Sequence, residues 1–119
     1  MCAALTPETR GMLGAAELRQ MKPAAWFVNI ARGALVQEDA LLCALREQWI
    51  AGACLDVFAH EPLPPDSPFW SLPNVFVTPH SSASTPQLMG RALDIFLENL
   101  RRYRMGQPLL NVVDKRRGY

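Results

Sequence analysis

Apolar and polar positions along the chain fall into two kinds of block. Ala25-Trp26-Phe27-Val28-Asn29-Ile30 is nearly continuous in apolar residues, which is the pattern of a strand buried on both faces. Glu38 and Asp39 then stand where acids favour a helix N-terminus. Ala40, Leu41, Ala44, Leu45 and Trp49 follow at helical spacing, with Gly52 placed to end that helix. Ala53-Cys54-Leu55-Asp56-Val57 reads as a second buried strand and Val75-Phe76-Val77-Thr78 as a third. Between them runs a proline-rich loop (Pro62, Pro64, Pro65, Pro68) that Phe69, Trp70 and Leu72 are expected to pack down. A last helix opens at Thr85-Pro86 and ends at Gly106. Leu88, Ala92, Phe96, Leu100 and Tyr103 line one side of it, against Arg91, Asp94, Glu98 and Arg102. Upstream, Thr6-Pro7-Glu8-Thr9 opens a short helix or turn, Ala15 to Met21 reads as a short helix stopped before Pro23, and a fourth strand remnant is expected near Met1–Leu5.

Strands alternating with helices argue for parallel β-α units and hence an α/β sheet. Sheets of that kind carry ligands outside the carboxyl ends of their strands. Three segments occupy that position here: Asn29–Gly33, Asp56–Glu61 and Thr78–Ser82. Together they hold one arginine (Arg32), two acids (Asp56, Glu61) and two histidines (His60, His80), and this convergence marks a candidate site.

Composition narrows the classes of partner. The 119 residues are 50% hydrophobic and 19% charged, with a formal net charge of +1, ordinary for one small globular domain. Such a balance supplies no general attraction for nucleic acid or an anionic membrane. The terminal basic cluster (Arg101, Arg102, Arg104, Lys115, Arg116, Arg117) lacks interleaved aromatics and reads as a solvated helix face and tail. No apolar stretch approaches the roughly 20 residues of a membrane span, and no signal-peptide pattern opens the chain. Cys2, Cys43 and Cys54 are odd in number and show no metal-type spacing. Buried, reduced thiols at Cys43 and Cys54, no metal site and a cytoplasmic setting are the expectations.

Within the three segments each residue type suits a task. His80 follows Thr78-Pro79 at a strand end, and histidine is the side chain best suited to exchanging a proton near neutral pH. Glu61 is the candidate acid that would stabilise its imidazolium; taken alone, it reads as a solvent-facing acid before a proline turn. Arg32 should emerge at the carboxyl edge of the sheet, where its planar fork can hold a carboxylate in two hydrogen bonds, the plain alternative being a surface ion pair. Asp56 lies inside an apolar run and needs a strong partner, either a protein donor or a ligand amide. His60 reads as a loop-surface histidine and Asn29 as a backbone-bonding residue at the strand end. Ser81, Ser82 and Ser84 have no nucleophile elbow around them, which argues against serine hydrolysis.

Taken together, Asn29-Ile30-Ala31-Arg32-Gly33, Gly52-Ala53-Cys54-Leu55-Asp56-Val57-Phe58, Glu61-Pro62-Leu63-Pro64, Asn74-Val75 and Thr78-Pro79-His80 closely resemble the D-isomer-specific 2-hydroxyacid dehydrogenases. The likeness begins at Leu5-Thr6-Pro7-Glu8-Thr9 and runs to Asn111-Val112-Val113-Asp114, and its ending is more similar to the glyoxylate/hydroxypyruvate reductases. The resemblance implies the second half of a Rossmann-like, doubly wound NAD(P)-binding domain with a long C-terminal helix. It implies reversible hydride transfer between NAD or NADP and a small 2-keto or 2-hydroxy acid. Arg32 would hold the substrate carboxylate, His80 would exchange a proton with the substrate oxygen, and Glu61 would hold and charge His80. The cofactor would be contacted by Ala4, Ile30, Ala31, Arg32, Asp56, His80 and Ser82, with Asp56 on the nicotinamide carboxamide. Glutamate rather than glutamine beside the histidine fits a 2-hydroxy acid better than formate.

Departures from the family pattern are Ser82, where a glycine is common, and Ala4, where proline is frequent. The 119 residues also hold no G-x-G-x-x-G, the motif that with a helix N-terminus cradles the pyrophosphate. The chain is therefore expected to be the C-terminal portion of the cofactor domain, residues 1–119, without the glycine-rich half or the N-terminal substrate domain. A catalytically inactive fragment, or a nucleotide-binding or oligomerisation module, stands as the alternative to an enzyme. The apolar stripe of the last helix needs a cover, so self-association, as a dimer, or a partner chain is expected.

Overall fold

The computed structural model describes residues 1–118. They form two compact units, Met1–Ser82 and the residues from Ala83 onward.

The first unit is built on a parallel sheet of three strands in the order β1 (Trp26–Asn29), β2 (Gly52–Leu55) and β3 (Val75–Val77). Val28 sits opposite Cys54 and Cys54 opposite Phe76, while Asn29, Leu55 and Val77 form the next row. Helix α2 (Glu38–Arg46) forms the crossover from β1 to β2, and α1 (Ala15–Arg19), which precedes β1, packs against α2. Leu18 from α1 and Leu41, Ala44 and Leu45 from α2 form one core with Phe27, Ile50, Ala53, Leu55 and Phe69. Full burial of each large aliphatic side chain contributes about 1.5–3 kcal/mol.

Three sequence expectations are corrected here. The strands are buried on one face only, because the helices of this unit cover one side of the sheet. Phe27 and Asn29 point into the core while Trp26, Val28 and Ile30 are exposed, and Phe76 on the same side is 61% exposed. Gly52 does not end α2 but opens β2. The chain leaves the helix at Gln48, whose φ is +57°, with the Trp49 amide donating to the Ala44 carbonyl. Glycine is required at 52 for space: a Cβ there would lie 2.5 Å from the Asn74 carbonyl oxygen and 2.6 Å from the Trp26 ring. The fourth strand is not formed among the described residues; Met1 alone pairs with β1, through the Val28 carbonyl and the Ile30 amide.

The proline-rich loop is anchored by Phe69, which is buried against Phe58, whereas Trp70 is 54% exposed and donates its indole N–H to the Pro64 carbonyl. Cys43 and Cys54 are half-buried rather than buried, and Cys2 is exposed; all three are free thiols.

In the second unit, α3 (Leu88–Arg104) ends as expected at a glycine, Gly106 with φ +66°. Asn99 exchanges two hydrogen bonds with the backbone of Leu110, at 3.1 and 2.7 Å, and so ties the following segment to the helix. Arg102 donates to Glu98 one turn back at 2.8 Å. None of the α3 side chains is buried. Among the described residues no helix is long and apolar enough to cross a membrane.

Candidate active site

Because the three strands are parallel, their carboxyl ends share one edge of the sheet, and the segments that follow them meet there. The first segment is set by Asn29, the last residue of β1 and fully buried. Its side-chain Nδ2 donates to the Arg32 carbonyl at 3.0 Å and its side-chain Oδ1 accepts from the Ala31 amide at 3.1 Å. These two bonds turn the chain so that Arg32 emerges exposed at the edge, with Nη1 donating to the Ala31 carbonyl. Gly33 follows, pressed against the next segment: a Cβ on it would fall 1.9 Å from the Phe58 carbonyl carbon. Among the described residues no carboxylate forms an ion pair with Arg32.

The second segment leaves β2 at Asp56 and reaches Glu61. Glu61 Oε1 accepts the Phe58 amide at 2.9 Å, and Oε2 accepts from Nδ1 of His80 at 2.6 Å. The hydrogen bond from His80, then that from the Phe58 amide, hold the Glu61 carboxyl below its ordinary range against the opposing effect of partial burial. The positive charges of His80 and Arg32 act in the same direction. Glu38, at the start of α2, accepts the Ala59 amide at 2.7 Å and steadies the same loop.

The third segment carries His80, which adopts a left-handed backbone with φ +52°. Histidine enters that region more readily than most residues, but the conformation still costs about 1–3 kcal/mol and persists only where its surroundings impose it. Asp56 faces this turn. Its carboxylate accepts the Thr78 hydroxyl, the Ser81 amide at 2.9 Å and the Ser82 amide at 2.8 Å. Burial alone is the largest single influence on Asp56 and would raise its pKa. The hydrogen bonds from Thr78, Ser81 and Ser82 together overcome it and hold the carboxyl far below the usual range. Of the two partners the sequence allowed Asp56, the protein donor is present.

A cleft of about 550 Å³ opens at this edge, lined by Asp56, Glu61, Leu63, Trp70, Thr78 and His80 among others, with mostly apolar walls. An acid-bound imidazole facing an apolar cleft, with an unpaired guanidinium nearby, can bind an anion and move a proton on it. Of the other sequence candidates, Ile30 is 46% exposed just beyond β1, Ala31 is held by Asn29, and Ser82 is held by Asp56. Ala4 is exposed and its carbonyl accepts the Thr9 hydroxyl at 2.7 Å. His60 is exposed on its loop. Sequence reasoning missed the supporting work of Thr78, Glu38 and Gly33; the available signals were a hydroxyl before Pro79, an acid in a helix first turn, and a glycine beside a candidate arginine.

Residues 1–82 match the family model described as D-isomer specific 2-hydroxyacid dehydrogenase, NAD binding domain. The chain is 46% identical over 115 residues to the glyoxylate/hydroxypyruvate reductase A of Photorhabdus laumondii, covering 96% of this chain and 36% of that protein. It is 43% identical over 111 residues to the glyoxylate reductase of Korarchaeum cryptofilum, covering 93% and 33%. It thus spans about a third of the length of these curated relatives. Among solved structures, the D-isomer specific 2-hydroxyacid dehydrogenase of Xanthobacter autotrophicus in complex with NADPH and MES superimposes with a TM-score of 0.89 at 48% identity. That match covers 99% of this chain and 38% of the other. The NADPH-dependent glyoxylate/hydroxypyruvate reductase of Sinorhizobium meliloti, in complex with NADP and sulfate, gives 0.90 at 39% identity over the same shares. The sheet order, the three segments meeting at its carboxyl edge and the match through most of the chain agree: this chain belongs to the D-isomer-specific 2-hydroxyacid dehydrogenase family, through its NAD-binding domain.

Proposed function

We propose that Arg32, Glu61 and His80 are the catalytic set for reversible reduction of a small 2-keto acid, such as glyoxylate or hydroxypyruvate, to the 2-hydroxy acid. The observation that carries this reading is the 2.6 Å contact between His80 Nδ1 and Glu61 at the carboxyl edge of the sheet. With Nδ1 committed to the glutamate, Nε2 is the nitrogen left to face a substrate. Arg32 binds the substrate carboxylate through its fork and turns the keto oxygen toward His80. In reduction, Nε2–H gives its proton to the oxygen as the carbonyl becomes a hydroxyl, and Glu61 stabilises the charged ring before the transfer. In oxidation His80 takes the proton back.

A nicotinamide cofactor, when bound, supplies or accepts the hydride at C2. The residues at the edge fit its nicotinamide end: Ile30 offers exposed apolar surface past β1, and Asp56 and His80 line the cleft. Ala4, Ala31, Arg32 and Ser82 are assigned to the same cofactor. The relatives' complexes with NADPH and NADP support testing NADPH first.

Loss of NADPH absorbance in the presence of glyoxylate or hydroxypyruvate tests the reading. His80→Gln should lower kcat by about 10²–10⁴-fold, and an unchanged rate refutes the proton-donor role. The exposed row of Leu93, Phe96, Leu97 and Leu100 on α3 is assigned to contact with a second copy. Light scattering of the purified chain should therefore report a dimer, and a monomer with native secondary structure removes that assignment.

A further inference from the structure

The His80 turn is held at two places: the ring by Glu61, and the residues on either side of the histidine by the Asp56 carboxylate. We propose that Asp56 is a positioning residue for His80. It clamps the chain on both sides of the histidine, so that the imidazole reaches Glu61 already oriented. The inference rests on reading His80 as the proton donor and goes beyond a contact between Asp56 and the cofactor.

The donors to Asp56 come from Thr78, two residues before His80, and from Ser81 and Ser82, the two residues after it. Chain entry and exit are thereby tied to one group, and His80 between them takes φ +52°. A non-glycine residue persists in that region when its surroundings over-determine it, and three hydrogen bonds to one ionised group do so. Asp56 is itself fixed. It is 3% exposed, follows β2 directly, and its amide donates to the Asn29 carbonyl at 3.0 Å. The frame of β1 and β2 is in this way passed to the histidine turn.

Chemistry explains why the group is a carboxylate. Both of its oxygens accept, whereas asparagine offers one acceptor and an NH2 group that would face the N–H of Ser81 or Ser82. Two donors opposed in a buried site leave at least one amide unpaired. Thr78 adds a third tether through its hydroxyl, which serine reproduces and valine does not.

NMR of the full chain, without added cofactor or substrate, tests the clamp. The ring 15N shifts of His80, at a pH where the ring is neutral, report which nitrogen carries the proton. Amide exchange at Ser81 and Ser82 reports the tethers. In the native chain the proton should reside on Nδ1, facing Glu61. Asp56→Asn should speed exchange at Ser81 or Ser82 by about tenfold or more and move the ring toward the Nε2–H form of free imidazole. If Asp56→Asn does not fold, the Thr78 pair decides: Thr78→Val should shift both signatures in the same direction, and Thr78→Ser should restore both. A folded Thr78→Val with native ring shifts and native protection overturns the clamp. That outcome is separable from failure of the catalytic reading, which is judged by His80→Gln kinetics and leaves the NMR result unaffected.

Discussion

Replacing Gly33 with alanine adds one methyl group at the tightest approach in the site. The added Cβ would stand 1.9 Å from the Phe58 carbonyl carbon, 2.3 Å from its oxygen and 2.4 Å from the Ala59 amide nitrogen. The first of these is about 1.6 Å closer than non-bonded carbons rest. All three atoms are backbone, so no rotamer change can relieve the clash. Either the Arg32–Gly33 turn or the Phe58–Ala59 loop must retreat. Each is pinned, the first by Asn29 and the second by Glu38 and Glu61. Overpacking of this kind costs about 1–3 kcal/mol and occasionally more. For a domain of this size each kcal/mol lowers Tm by roughly 4–8 °C. The retreat also separates Arg32 from the Glu61–His80 pair, and a misplacement of about 1 Å can cost around 100-fold in turnover. Thermal unfolding followed by circular dichroism, with NADPH turnover on the same samples, checks both effects. A Gly33→Ala chain that melts with the native protein and turns over at the native rate would refute this account of how Arg32 is placed.

Asn29→Ala removes the two hydrogen bonds that turn the chain after β1 and leaves a buried gap. It should cost about 1–3 kcal/mol, read as a lower urea midpoint at unchanged m, with a higher KM for the keto acid. Glu61 gives a pH signature whose sign follows from its lowered pKa. Its native-state interactions favour the ionised form, so their contribution to stability is full above the ordinary value of 4.5 and is lost as pH falls below it. Urea midpoints of the native chain and Glu61→Gln should therefore differ near neutrality and converge in acid. A gap that stays open or widens below the ordinary carboxylate value of 4.5 would show the sign to be wrong.

Much of the scaffold was legible in the chain. The apolar runs read at Ala25–Ile30, Ala53–Val57 and Val75–Thr78 gave strands at Trp26–Asn29, Gly52–Leu55 and Val75–Val77, and the alternation with helices implied parallel order, because a parallel pair needs a crossover between its members. Parallel order in turn places Arg32, Glu61 and His80 at one edge. The same reading misjudged quantities that depend on neighbours. An unbroken apolar run does not reveal how many faces are covered, and here Trp26, Val28 and Phe76 line an exposed side. A glycine after a helical stripe is compatible with a cap or with a close approach; the Trp26 ring and the Asn74 carbonyl decided for the second at Gly52.

The candidate site divides along the same line. Residue identity determined which chemistry is available: a forked cation, an acid and an imidazole, each following a strand. Only tertiary contact decided what each one does. Thr78, Ser81 and Ser82 lie more than 20 positions from Asp56 in the chain, yet together they turn a buried acid from an unmet cost into a brace for the histidine turn. Glu61 is separated from His80 by the proline-rich loop; the sequence offered it as a candidate partner, and only the folded sheet edge brings the two to 2.6 Å. Distances across such loops are set by the packing of the elements they join, and they exist only once the sheet has formed.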